Sequence, residues 1–245
     1  ALRDAMKGFG TDEETLIKIC ANRTNSQRQQ IKHEYKALFG RDLIEDLKDE
    51  LHGKFEDAMV ALFSDPITYD CDELRKAMKG AGTNEDTLIE ILASRPAPVL
   101  KQIIARYKEK FNRDLEADVK DETSGTLRHI LISLLQCNRS TNPNADPIKC
   151  ANIAKEIYDA GEAKFGTDES VFNKYFCMLS PQELAEVSKE YHKITGHTII
   201  DAIKSEYSED CEKALETIVY ATLCPSEYFA KRVEDAIKGW GTNDH

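Results

Sequence analysis

The chain has 245 residues, 41% hydrophobic and 31% charged, with a formal net charge of −11. That balance argues for a folded chain and against a disordered one. It also argues against unaided binding to nucleic acid or to an anionic membrane, since both require an excess of Lys and Arg, while leaving binding bridged by a divalent cation open. No apolar run approaches the ~20 residues of a transmembrane helix, and no charged-then-apolar signal segment opens the chain. The seven cysteines, an odd number without a C-x-x-C pair, read as small buried apolar residues in a reducing, cytoplasmic compartment.

The first repeat is expected over residues 1–64. A helix ends at Lys7. A second runs over 12–21, with Leu16, Ile17 and Cys20 on one face. Ser26 caps a third, whose Ile31, Tyr35, Leu38 and Phe39 follow amphipathic spacing. Gly40 ends it. A short fourth helix over 42–51 carries Glu50 at its end. Gly53 breaks the chain, and Phe55, Met59, Leu62 and Phe63 mark a fifth helix.

Asp65-Pro66 opens a second repeat over 65–137, with helices at 72–79, 85–93, 96–111, 114–119 and 125–136. Residues 138–147, rich in Asn and Pro, are the longest linker and are expected to separate two halves. A third repeat over 148–223 follows, with helices at 148–160, 169–178, 181–194, 198–205 and 209–221. Residues 224–245 open a fourth repeat, whose first helix ends at Lys238. No stretch reads as a strand. The expected fold is all-α, an array of five-helix units of roughly seventy residues.

One stretch punctuates every unit. Met6-Lys7-Gly8-Phe9-Gly10-Thr11 returns as Met78-Lys79-Gly80-Ala81-Gly82-Thr83. It returns more loosely as Ala163-Lys164-Phe165-Gly166-Thr167, and again as Ile237-Lys238-Gly239-Trp240-Gly241-Thr242. Forty positions after Gly10, Gly82 and Gly166 stand Glu50, Glu122 and Glu206. Paired glycines permit a tight turn with positive φ and outward carbonyls. The carbonyls of Met6, Gly8 and Gly10 with the Glu50 carboxylate supply about five oxygens, a set that suits calcium better than strictly octahedral magnesium. The open positions suit an external anion such as a phosphate. Thr11 with Glu14, and Thr83 with Asp86, have capping-box spacing. No G-x-S-x-G, P-loop, G-x-G-x-x-G or histidine ligand set is present, so no enzyme is expected.

Lys-Gly-x-Gly-Thr paired with a distant carboxylate resembles the annexins, as does the phrase Asp121-Glu122-Thr123-Ser124-Gly125. The resemblance covers the chain through the start of the fourth repeat. It implies a curved disc of five-helix repeats that docks through Ca2+ on acidic phospholipid headgroups, peripheral to the membrane. The implied metal ligands are the carbonyls of Met6, Gly8 and Gly10 with Glu50, and of Met78, Gly80 and Gly82 with Glu122. In the third repeat they are Gly161, Lys164 and Gly166 with Glu206. An auxiliary site maps to Thr11 and Glu13. Lys7, Phe9, Lys79, Ala81, Phe165 and Trp240 become candidates for membrane contact. Glu90 and Arg139 are candidates for a structural ion pair.

Three departures stand out. The third loop lacks the first glycine, Leu179 replaces the arginine found at Arg23 and Arg95, and Tyr207-Ser208-Glu209 follows Glu206. The resemblance also implies a fourth carboxylate and a variable N-terminal tail, a seat for protein partners, outside this chain. Repeat one would then expose apolar helix and self-associate. The competing function is a helical-repeat scaffold for proteins with degenerate loops.

Overall fold

The computed structural model describes residues 1–8, 10–80 and 82–238. Phe9, Ala81 and Trp240, with the rest of the fourth loop, lie outside the described residues. Among those described there are sixteen α-helices and no strand. The first five are α1 (Leu2–Ala5), α2 (Glu13–Ala21), α3 (Asn25–Phe39), α4 (Leu43–Glu50) and α5 (Gly53–Phe63). The next five are α6 (Pro66–Ala77), α7 (Glu85–Ser94), α8 (Ala97–Phe111), α9 (Leu115–Glu122) and α10 (Gly125–Leu135). Then come α11 (Pro147–Ala160), α12 (Glu169–Met178), α13 (Pro181–Thr195), α14 (Ile199–Glu206) and α15 (Glu209–Leu223), with α16 (Pro225–Ile237) after them. The third and fourth helices of each cycle recur at 15 and 8 residues. The chain divides into two compact units, Ala1–Asp70 and the residues from Cys71 onward.

In the first unit, the helix ends follow side chains that satisfy free N–H groups. Asp12, not Thr11, caps α2 by accepting from the Thr15 amide at 3.0 Å. Thr24, not Ser26, caps α3, because Gln27 three residues on completes a reciprocal capping box with it. Gly40 ends α3 at φ 67°. Gly53 does not break the chain; at φ 63° it starts α5. The core joins Leu16, Cys20, Tyr35, Leu47, Met59 and Phe63. Ile17, one residue round the helix from Leu16, is exposed, as are Leu38 and Phe39 in the last turn of α3. The guanidinium of Arg3 covers the Phe39 ring at 5.2 Å.

Helix α6 begins at Pro66, well before the expected start, because proline suits a first helical position and Asp65 accepts from the Thr68 amide. Asn84, not Thr83, caps α7. Leu88, Leu92, Ile103, Tyr107, Leu131 and Ile157 are among the fully buried side chains. Residues 138–147, the expected linker, follow α10. That segment is strapped to the third cycle: the Ser140 amide donates to the Met178 carbonyl at 2.8 Å, and Arg139 donates to the carbonyls of Leu179 and Phe176. These are the unsatisfied carbonyls of the α12 end. No disulfide joins the cysteines, and burial pushes the Cys20 thiol up to about 11 and the Cys177 thiol to about 12. Among the described residues no helix is long and apolar enough to cross a membrane.

Each of the first two cycles buries an aspartate in one cluster. Asp46 accepts from Tyr35 at 2.5 Å and from Arg41, with Arg3 at 3.7 Å. Asp118 accepts from Tyr107 at 2.7 Å and from Arg113 at 2.8 Å, with Arg75 at 3.6 Å. The arginine hydrogen bond, the tyrosine hydroxyl and the positive charges together hold both carboxyls below the usual range, against the opposing effect of burial. A carboxyl held low in the fold stabilises it above the unfolded pKa of about 4, and that stability is lost as pH falls through the folded value. Asp118→Asn is therefore expected to cost about 2 kcal/mol at pH 7. The gap from wild type should close below about pH 4. Urea denaturation at pH 7 and pH 3 checks both; a gap that widens in acid contradicts this assignment.

Candidate metal centres

Three loops share one closure. The amide of Asp12 donates to the carbonyl of Ala5 at 2.8 Å, and that of Asn84 to Ala77 at 2.9 Å. In the third loop the Asp168 amide reaches Ala160 at 2.7 Å, enclosing one residue more. Each loop thus leaves the last residue of one helix and returns to it at the cap of the next. Met6 and Met78 bury their side chains and anchor the start of their loops. Gly8 and Gly80 sit at φ 111° and 120°, a region that side chains with a Cβ rarely adopt.

The distant carboxylates fall at the ends of three eight-residue helices: Glu50 closes α4, Glu122 closes α9 and Glu206 closes α14. In the second loop, the Thr83 hydroxyl lies 3.1 Å from both the Glu122 carbonyl and its Oε2. In the third, the Thr167 hydroxyl donates to Glu206. In the first, Met6, Gly8 and Glu50 line one cavity of about 240 Å³ with Arg3, Lys7 and Arg41. In the second and third loops the carboxylate is thus met by a threonine hydroxyl, and in the first Glu50 shares a cavity with Met6 and Gly8. The spacing of Thr83 and Asp86 predicts a helix cap at Thr83; because Asn84 takes that role, the Thr83 hydroxyl is available to the carboxylate, as is that of Thr167, where Asp168 caps α12.

The third loop departs from the other two. Gly161 ends α11 at φ −123°. A Cβ there would stand 3.1 Å from the Phe172 ring and 3.2 Å from the Glu206 carboxyl carbon. Glycine is thus what lets Glu206 reach the loop backbone. The Gly161 carbonyl accepts from the Lys164 amide at 3.0 Å, which leaves it a second lone pair. At the auxiliary position, Glu13 is exposed at the start of α2. Its third-cycle counterpart Glu169 accepts from Thr126. Lys7, Lys79 and Lys164 are exposed, and Phe165 is fully so. Glu90 does not pair with Arg139; it pairs with Arg232 at 2.8 Å, while Arg139 serves the α12 carbonyls.

The donors these loops offer are backbone carbonyls and carboxylates, the hard oxygen set that suits calcium. Among the described residues, no three His, Cys, Asp or Glu side chains converge as a metal cage. A cation here depends on the loop backbone.

A family model described as Annexin matches residues 1–62, 69–134 and 153–218. The chain belongs to the annexin family. It is 42% identical to human annexin A7 over 243 residues, which cover 99% of this chain and 50% of that protein. The chain thus spans half the length of this curated relative. Its fold matches annexin III with a TM-score of 0.93 at 40% identity, covering 100% of this chain and 76% of the other. It matches calcium-bound annexin (Sm)1 with a TM-score of 0.86 at 30% identity, covering 99% and 73%.

The glycines give a contrast that can be measured. A Cβ at Gly80 meets nothing within 4 Å, so Gly80→Ala carries only backbone strain, about 1–3 kcal/mol. Gly161→Ala instead pushes directly on Phe172 and Glu206. Chemical denaturation is expected to show a loss in both. Only Gly161→Ala should also move Phe172, read as changed chemical shifts of that ring.

Proposed function

We propose that this annexin binds acidic phospholipid membranes in a calcium-dependent way, without catalytic turnover. The observation that carries the reading is the meeting of the second and third glycine loops with the carboxylate of a helix end, through Thr83 and Glu122 and through Thr167 and Glu206. The carbonyls of Met6, Gly8 and Gly10 with Glu50 would hold one ion. Met78, Gly80 and Gly82 with Glu122 would hold a second. Gly161, Lys164 and Gly166 with Glu206 would hold a third, and Thr11 with Glu13 an auxiliary one. Bound calcium supplies the positive charge that links loop oxygens to a lipid phosphate.

The surrounding residues serve the same end. A chain with net charge −11 is repelled by an anionic surface, so attraction must be local. Exposed Lys7, Lys79 and Lys164 place positive charge on the loops, and exposed Phe165 can enter the headgroup layer. The relative with a calcium-bound structure supports calcium as the ion.

Co-sedimentation with phosphatidylserine vesicles tests the reading. Binding should appear with calcium, reverse with chelator and fail on phosphatidylcholine alone. Binding in neither condition would leave a protein scaffold as the better reading. Calorimetry of Glu50→Gln and Glu122→Gln should each show one site weakened by at least about tenfold with the other unchanged. Equal loss at both sites in either variant would contradict independent loops.

A further inference from the structure

A threonine closes each of the second and third glycine loops, and neither one caps the helix that follows. Asn84 and Asp168 take that task. Each threonine hydroxyl reaches instead across 39 positions to the glutamate that ends a short helix. Thr83 Oγ1 lies 3.1 Å from Glu122 Oε2 and 3.1 Å from the Glu122 carbonyl. Thr167 Oγ1 donates to Glu206 Oε2. The first loop is built differently, with Glu50 in a cavity that Arg3, Lys7 and Arg41 also line.

The backbone behind Glu122 is already fixed. The next residue, Thr123, is buried, its hydroxyl donates to the Val119 carbonyl at 2.6 Å, and Arg128 donates to its carbonyl at 2.6 Å. The Glu122 side chain itself is exposed. An exposed glutamate samples many rotamers and must give them up to serve as a ligand. Glu206 is more enclosed: its carboxyl carbon would stand 3.2 Å from a Cβ at Gly161, so it rests against the loop backbone.

We propose that Thr83 and Thr167 are positioning residues of the second and third calcium sites. The hydroxyl holds the carboxylate towards the loop carbonyls, so that an arriving ion meets an oriented ligand. The inference rests on reading the loops as calcium sites. A hydroxyl has one proton to donate, and a carboxylate that accepts it at Oε2 keeps further lone pairs for the ion. The threonine thus acts through the glutamate and does not touch the ion. Outer donors of this kind govern metal affinity by about 10- to 100-fold. At Thr83 the Glu122 carbonyl is an equidistant second acceptor. A proton given to that carbonyl would only tie the helix end to the loop, and the test has to separate the two.

Calcium titration of the lipid-free chain, followed through the amide shifts of Gly10, Gly82 and Gly166, reads the three loops separately. Thr83→Val keeps the side-chain shape and removes the donor. It should weaken the second site about tenfold, with the first and third within about twofold of wild type. Thr83→Ser keeps the donor and should restore the affinity. Thr167→Val should weaken the third site alone, an independent measurement should Thr83→Val fail to fold. Carbon relaxation of the Glu122 γ-methylene should show a more mobile side chain in Thr83→Val and not in Thr83→Ser. A second site within about twofold of wild type in Thr83→Val overturns the proposal, as does an equal loss in Thr83→Ser. A loss of affinity with unchanged Glu122 mobility also overturns it, since the hydroxyl then serves the backbone. If Glu122→Gln weakens the second site while Thr83→Val does not, only this inference fails. If wild type binds no calcium, the calcium reading fails with it.

Discussion

The candidate sites depend on one placement, the last residue of a short helix set against a glycine loop that precedes it by forty residues. In the second cycle the details are complete. Asp114 caps α9 and fixes where it begins. Leu115 and Val119 are buried and fix its rotation. Eight residues then carry Glu122 to the loop, where Thr83 holds it. A helix one residue longer would turn the carboxylate by about 100°. Register, cap and burial together therefore decide whether the loop has an anionic partner.

The loops combine strain with anchorage. Positive φ at Gly8, Gly10, Gly80 and Gly82 is tolerated because those residues lack a Cβ. The buried methionines and the closing amide-to-carbonyl bonds tie down both ends of the first two loops. The buried aspartates add rigidity close by. In the first unit the cavity at Glu50 also touches Tyr35, Arg41 and Asp46, so the site and its supporting cluster share one wall.

The third cycle shows how one frame admits a different interior. It keeps the loop closure, the threonine and the helix-end glutamate. It exchanges the aspartate and arginine for Ala202 and His197 and adds Glu162. The side chains around the loop change while the loop closure and the helix-end glutamate are kept. That combination is what chemical specialisation among repeated sites requires: affinity set by side chains, position set by packing.

Much was legible in the sequence because the deciding physics is local or periodic. The loop recurring from Gly10 to Gly82, the offset to Glu50 and Glu122, and the ending of α3 at Gly40 all depend on residues whose types announce their role. Helix existence followed from apolar spacing, and family membership from the loop with its distant carboxylate. Other features were decided only by tertiary structure. Asp12 and Asn84 outcompeted Thr11 and Thr83 as caps, and Thr83 was then available for a partner 39 residues away. Arg232 reached Glu90 across 142 positions, while Arg139 satisfied the α12 carbonyls. Leu38 had the spacing of a core residue yet lies in solvent, since spacing defines a face and only packing covers it. Tyr191 belongs to the same class: it is as buried as Tyr35 and Tyr107, and which group faces its hydroxyl is settled by packing.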